Sequence, residues 1–119
     1  MKKTLIIGAS SNPERYAYKA AERLVSHGHE IEMIGRSADE IFGQVIDTEK
    51  KAYTGIDTVT LYLSSKFQTE YYDYIVSLHP NRVVFNPGTE NSEFEVLLQE
   101  HGIIAEQACT LVLLGTGQY

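Results

Sequence analysis

The sequence predicts a three-layer α/β sandwich built on a parallel sheet of about five strands, and two observations carry that prediction. Short apolar or β-branched runs alternate along the whole chain with segments whose apolar residues recur at helical spacing. The first run, Thr4-Leu5-Ile6-Ile7, passes into an amphipathic segment through the small-residue turn Gly8-Ala9-Ser10-Ser11-Asn12-Pro13. A buried strand that feeds a helix through such a turn forms a phosphate cradle, because the first helical amides lack internal partners and the helix dipole adds positive charge.

Each element follows from its residues. Thr4 to Ile7 is continuously apolar, as a strand covered on both faces must be. Asn12-Pro13 reads as a helix start, with a capping side chain and proline at the first helical position. From Pro13 to His27 the residues Ala17, Ala21, Leu24 and Val25 share one face, and Gly28 ends the helix. Glu30 to Ile34 is the second strand, at the distance a right-handed crossover needs. Ser37-Ala38-Asp39-Glu40 has capping-box spacing and predicts a short helical turn closed by Gly43, with Val45-Ile46 as an edge strand. Residues 47 to 57 are polar loop. Thr58 to Leu63 is β-branched and aromatic, a further central strand. Phe67, Tyr71, Tyr74, Ile75 and Leu78 make a helical stripe that ends before Pro80. Arg82 to Phe85 is another strand, closed by Asn86-Pro87-Gly88. Ser92 and Glu95 form a second capping box, followed by Phe94, Leu97, Leu98 and His101 on one helix face. Ile103 to Ala105 is the last strand, and Thr110 to Leu114 a short apolar closing element.

Length and charge bound the function. The 119 residues make one domain of ordinary size, 1–119, with no internal boundary expected. A formal net charge of -6 without a Lys/Arg cluster argues against nucleic acid or an anionic membrane as partner, and leaves a small-molecule nucleotide as the expected one. No segment approaches transmembrane length, and the apolar run after Met1-Lys2-Lys3 is too short for a signal peptide. The single cysteine, Cys109, excludes an intramolecular disulfide and fits a reducing cytoplasm, the expected location.

In parallel sheets ligands gather outside the carboxyl ends of the strands, where strand order reverses. Five loops qualify: 8–13, 35–37, 64–66, 86–91 and 107–110. The end of the second strand is the most informative. A domain that binds NAD places a carboxylate there for the ribose hydroxyls, whereas this chain has Gly35-Arg36-Ser37. An arginine attracts a phosphorylated ribose, so the site favours coenzyme A or NADP over NAD, with a solvated loop arginine as the competing reading. Arg15 and Lys19, spaced i, i+4 near the start of the first helix, repel one another and oppose the dipole, and a bound diphosphate reverses both effects. Compensation by Glu14 and Glu22 is the alternative. Cys109 sits where a helix start can activate a thiol, though the apolar residues around it read as core. His27, His29, His79 and His101 form no metal set, and no catalytic acid, base or nucleophile stands out. Among the tyrosines only Tyr16 and Tyr18 lie beside the anion turn.

The residues from Gly8 to Tyr16, Tyr18-Lys19, Asn86-Pro87-Gly88 and Ala108-Cys109-Thr110-Leu111-Val112 carry a family resemblance. The chain resembles the small stand-alone bacterial CoA-binding proteins, whose domain is similar to the nucleotide-binding domain of the succinyl-CoA synthetase alpha subunit. The likeness spans essentially the whole length. It implies a Rossmann-like sheet with CoA across the strand ends, its pyrophosphate at Gly8 to Ser11 and Lys19 near the phosphates. Many relatives end the second strand in valine-asparagine-proline, where this chain has Ile34-Gly35-Arg36. Ligase activity does not carry over, because the ligase's other domains have no room here.

The expected function is therefore non-catalytic binding of CoA or an acyl-CoA in a regulatory or carrier role. Its residues are Gly8, Ala9, Ser10, Ser11, Arg15, Lys19, Gly35, Arg36, Ser64, Asn86 and Gly88. The alternatives are a small NADP-binding enzyme or sensor, a Cys109 thiol that exchanges with CoA disulfide or a thioester, and a partner-binding domain with a vestigial pocket.

Overall fold

Seven strands join one sheet, and a computed structural model describes residues 1–119. At its centre is β1 (Thr4–Ala9), whose Leu5, Ile6 and Ile7 are fully buried because helices cover both faces. β2 (Ile31–Gly35) and β5 (Thr58–Leu61) flank it in parallel, with Ile6 opposite Met33 on one side and Thr60 on the other. β6 (Arg82–Phe85) and β7 (Ile104–Gln107) continue the parallel sheet beyond β5. Beyond β2 lies β4 (Gln44–Asp47), also parallel, and then β3 (Asp39–Ile41), which runs antiparallel to it.

The strand count exceeds the expected five because residues 39–47 form a hairpin, not a helical turn. Asp39, Glu40 and Ile41 pair with Ile46, Val45 and Gln44. Phe42 and Gly43 have φ of 53° and 75°, the paired positive values of a two-residue hairpin turn. The Asp39 carboxylate accepts from the adjacent Glu40 amide at 2.8 Å, so the box that Ser37 to Glu40 spells is not formed. Pairing with β2 buries Ile46 to 1 % exposure, a gain that local capping at the surface does not offer.

Helix starts are shifted as well. α1 (Tyr16–Ser26) begins three residues after Pro13. Asn12 closes a turn instead: its Oδ1 accepts from the Glu14 amide and its carbonyl from the Arg15 amide, each at 3.0 Å. Arg15 then takes the N-cap position with extended backbone. The stripe from Phe67 is not one helix but two 3-10 turns, Ser65–Phe67 and Thr69–Tyr71, ahead of α2 (Tyr72–Leu78). Buried Gln68 interrupts it, because its amide donates to the carbonyls of Leu63 and Thr89 and accepts from Asn91. In α3 (Ser92–Glu100) the cap is Asn91, whose Oδ1 accepts from the Phe94 amide at 3.1 Å, so Ser92 and Glu95 form no capping box. α4 (Thr110–Gly115) closes the chain order.

The two sheet faces carry separate cores. Leu5, Ile7, Val59, Leu61 and Phe85 pack under α2 and α3, where Phe94 meets Phe85 edge-on at 5.8 Å and stacks on Tyr72 at 4.3 Å. Ile6, Met33, Ile46 and Val84 pack under α1 and α4. Ala17, Ala20 and Ala21 face the sheet on α1, and their small size lets the helix lie close to it.

At the amino ends of the strands, His29 accepts from the Lys2 amide at 3.0 Å and meets Tyr119 edge-on at 5.0 Å. Burial, then the positive N-terminus, His27 and Lys2, holds its pKa below the usual 6.5. The folded state therefore prefers neutral His29. As pH falls below 6.5 the unfolded chain takes up that proton first, so stability is lost. The thermal midpoint is expected to fall between about pH 7 and pH 5, and His29→Asn, which keeps an acceptor without titrating, should flatten that limb. A variant with the same slope as the native chain would remove His29 as its cause.

Candidate functional site

The chain proceeds from β1 to β2 on one side and later returns to β5 on the other, so strand order reverses between β1 and β5. That is where a crevice must open at the strand ends. A cleft of about 1110 Å³ lies there, walled by the loops after β1, β2, β5 and β6. Its floor depends on a bulge. Ile7 pairs with Ile34 and Ala9 with Gly35, leaving Gly8 as the extra residue on β1. Gly8 has φ of 92°, and a Cβ there would stand 2.9 Å from the Tyr62 carbonyl carbon, so both conformation and space call for glycine.

After the bulge the backbone presents free donors. The amides of Ser10, Ser11, Tyr16 and Ala17 make no hydrogen bond within the chain. The Ser10 hydroxyl accepts from the Asn12 amide at 3.1 Å, which holds the turn in shape. Free amides facing a cleft at the start of an eleven-residue helix are an anion-binding arrangement.

The charges agree. Although the chain carries -6 overall, the charged side chains in the cleft wall are Arg15, Arg36 and one carboxylate, Glu14. The lining thus carries one more positive than negative side chain, while the Asp39 carboxylate just outside it meets the Ser11 side chain and Glu90 holds the Gly88 amide. Arg36, from the end of β2, lies with its guanidinium 5.8 Å from the Phe67 ring centroid beyond β5. The pair bounds the crevice from its two sides and presents a planar cation beside an aromatic face. Tyr62 completes the floor, and burial pushes its phenol up to about 12, so at neutral pH it keeps its proton and can only donate or accept a hydrogen bond.

Of the predicted residues, Gly8, Ala9, Ser10, Ser11, Arg15, Gly35, Arg36, Ser64 and Gly88 wall the cleft. Lys19 does not; its ammonium lies 5.1 Å from the ring centroid of exposed Tyr16, one turn further along α1. Asn86 is buried and inward-facing, with Nδ2 donating to Thr60 and Leu61 and Oδ1 accepting from the Thr110 amide. Gly35 serves the sheet first, since a Cβ there would stand 2.4 Å from the Ala9 carbonyl oxygen. Tyr16 reaches the cleft, whereas Tyr18 turns to the hairpin and packs against Phe42 at 5.0 Å. Cys109, half-buried, walls a smaller chamber beside the cleft.

Phe67, Tyr71 and Tyr62 also wall the cleft: the pattern assigns the first two to a helical stripe and Tyr62 to a strand, and only the reversal of strand order between β1 and β5 sets the residues after β5 against a crevice. Position after a strand at the reversal point was the available signal.

Fold and site together define a doubly wound α/β domain with a cleft and free backbone amides at its topological switch. The sequence pattern of the CoA binding domain matches residues 2–115, and the chain belongs to that family. The crystal structure of an uncharacterized protein is 53% identical, with a TM-score of 0.98 over 100% of this chain and 98% of that one. A protein of Thermus thermophilus, 20% identical, superposes with a TM-score of 0.89 over 99% of this chain and 90% of its own. A dinucleotide-forming acetyl-coenzyme A synthetase from Ca. Korarchaeum cryptofilum, in complex with phosphate and ADP, is 18% identical with a TM-score of 0.72. The match covers 92% of this chain but 26% of that one. At these lower identities the likeness is one of fold. No curated protein matches the sequence, and no helix is long and apolar enough to cross a membrane.

Proposed function

We propose that this protein binds coenzyme A without transforming it, in a regulatory or carrier role in the cytoplasm. The observation that carries the reading is the cleft at the switch point, with free amides and Arg15 at one end and Arg36 at the other. Membership of the CoA binding domain family supports it. The diphosphate is assigned to the amides of Ser10, Ser11, Tyr16 and Ala17 with Arg15 beside them, and the phosphorylated ribose to Arg36. Ser64 and Gly88 line the remaining path.

The test is calorimetry or thermal shift with CoA, dephospho-CoA and NADPH. At about 1 mM ligand, an affinity of ~0.1 mM should add roughly 1.4 kcal/mol to stability. CoA should bind more tightly than dephospho-CoA, and Arg36→Glu should weaken CoA by about tenfold or more and erase that difference. Absence of any CoA effect at that concentration, or tighter binding of NADPH, would sink the reading.

A further inference from the structure

We propose that the chamber beside the cleft is an acyl-chain subsite, and that the physiological ligand is a short- or medium-chain acyl-CoA rather than free CoA; this rests on the CoA reading above. The chamber measures about 270 Å³ and is walled by Tyr16, Tyr62, Asn86, Pro87, Cys109 and Leu111. Tyr16, Tyr62 and Pro87 are also walls of the main cleft, so the two spaces adjoin along these side chains. Tyr16 is the first residue of α1, beside the free amides, and it lines both spaces. One ligand with a polyanionic middle and an apolar end spans both.

The chemistry of the walls selects what enters. Asn86 is the one amide, and both its ends are occupied internally: Nδ2 by Thr60 at 2.6 Å and Leu61 at 2.9 Å, Oδ1 by the Thr110 amide at 2.9 Å. The Cys109 thiol behaves as a small, weakly polar surface. Aromatic faces, Pro87 and Leu111 make up the rest. Apart from the two tyrosine hydroxyls, such walls offer a carboxylate or a second phosphate no charged partner, and their apolar faces give methylene groups surface to cover.

Volume sets the chain length that fits. A cavity of about 150 Å³ takes benzene, and the same proportion gives room here for about ten carbons. Chains of about four to eight carbons fit with clearance.

The experiment is calorimetric titration of the native chain with CoA and with acetyl-, butyryl-, hexanoyl-, octanoyl- and palmitoyl-CoA. Each methylene should tighten binding by up to about fourfold until the chamber is full. Hexanoyl-CoA should therefore bind at least about tenfold more tightly than CoA. Two variants then shift the preference in opposite directions, read as the ratio of acyl-CoA to CoA affinity. Cys109→Leu reduces the space and should move the optimum to shorter chains, and Leu111→Ala enlarges it and should move the optimum to longer ones. If CoA binds but hexanoyl-CoA gains nothing, or if neither variant moves the optimum, the chamber is not an acyl subsite and CoA binding stands without it. Failure of CoA and every acyl-CoA to bind would instead remove the CoA reading, and the subsite with it.

Discussion

Replacing Gly35 by alanine is expected to destabilise the protein by about 3 kcal/mol or more, at the upper end of what overpacking costs. The added Cβ would stand 2.4 Å from the Ala9 carbonyl oxygen, 3.2 Å from its carbon and 3.0 Å from the Ile46 side chain. Two of these are backbone atoms of β1, the central strand, so relief requires β1 and β2 to separate where the cleft floor begins. Gly88→Ala supplies the comparison. Gly88 has φ of 90° but open space around it, so the cost there is conformational strain alone, about 1–2 kcal/mol. Urea unfolding midpoints at constant slope measure both. A Gly35→Ala loss no greater than that of Gly88→Ala would mean that the strands accommodate the methyl group.

Asn86→Ala is expected to cost a similar amount, about 3 kcal/mol, by a different route. The asparagine, directly after β6, ties it to two elements: it donates to Thr60 and to the Leu61 carbonyl of β5, and accepts from the first amide of α4. Removing it leaves the Leu61 carbonyl and the Thr110 amide buried without partners, while Thr60 keeps its 2.8 Å bond to the Thr110 hydroxyl. Asn86→Asp separates geometry from charge. It keeps an acceptor for Thr110 but sets a carboxylate against the Leu61 carbonyl, which raises its pKa in the folded state. Stability of that variant should then recover as pH falls through the raised pKa, because the protonated carboxyl again donates. A flat pH dependence relative to the native chain would contradict the inward hydrogen bonds assigned to this residue.

These two residues show how the site was legible and where it was not. Gly35 and Asn86 were both expected near a ligand, and both lie at strand ends by the cleft or its side chamber. What the residues themselves do is hold strands and a helix together, and no local pattern separates a glycine that admits a ligand from one that admits a neighbouring strand. Lys19 illustrates the same limit from the other side: helical spacing placed it near Arg15, but a helix that starts at Tyr16 carries it beyond the cleft wall. Arg36 was identified for a reason of chemistry, its place after β2, and the structure sets it in the cleft beside Phe67, a residue that periodicity assigns to a helix.

By itself the sequence determined the α/β alternation, the central buried strand and the small-residue turn after it, since continuous burial, period and turn composition are local properties. The tertiary structure alone decided the strand order, and with it which loops share a crevice, because a parallel strand has the same composition on either side of β1. It also decided that residues 39–47 pair as a hairpin and that Gln68 breaks a helical stripe. In both cases a contact distant in sequence, Ile46 against β2 and Gln68 with Asn91, outweighs a capping or periodic preference worth on the order of 1 kcal/mol.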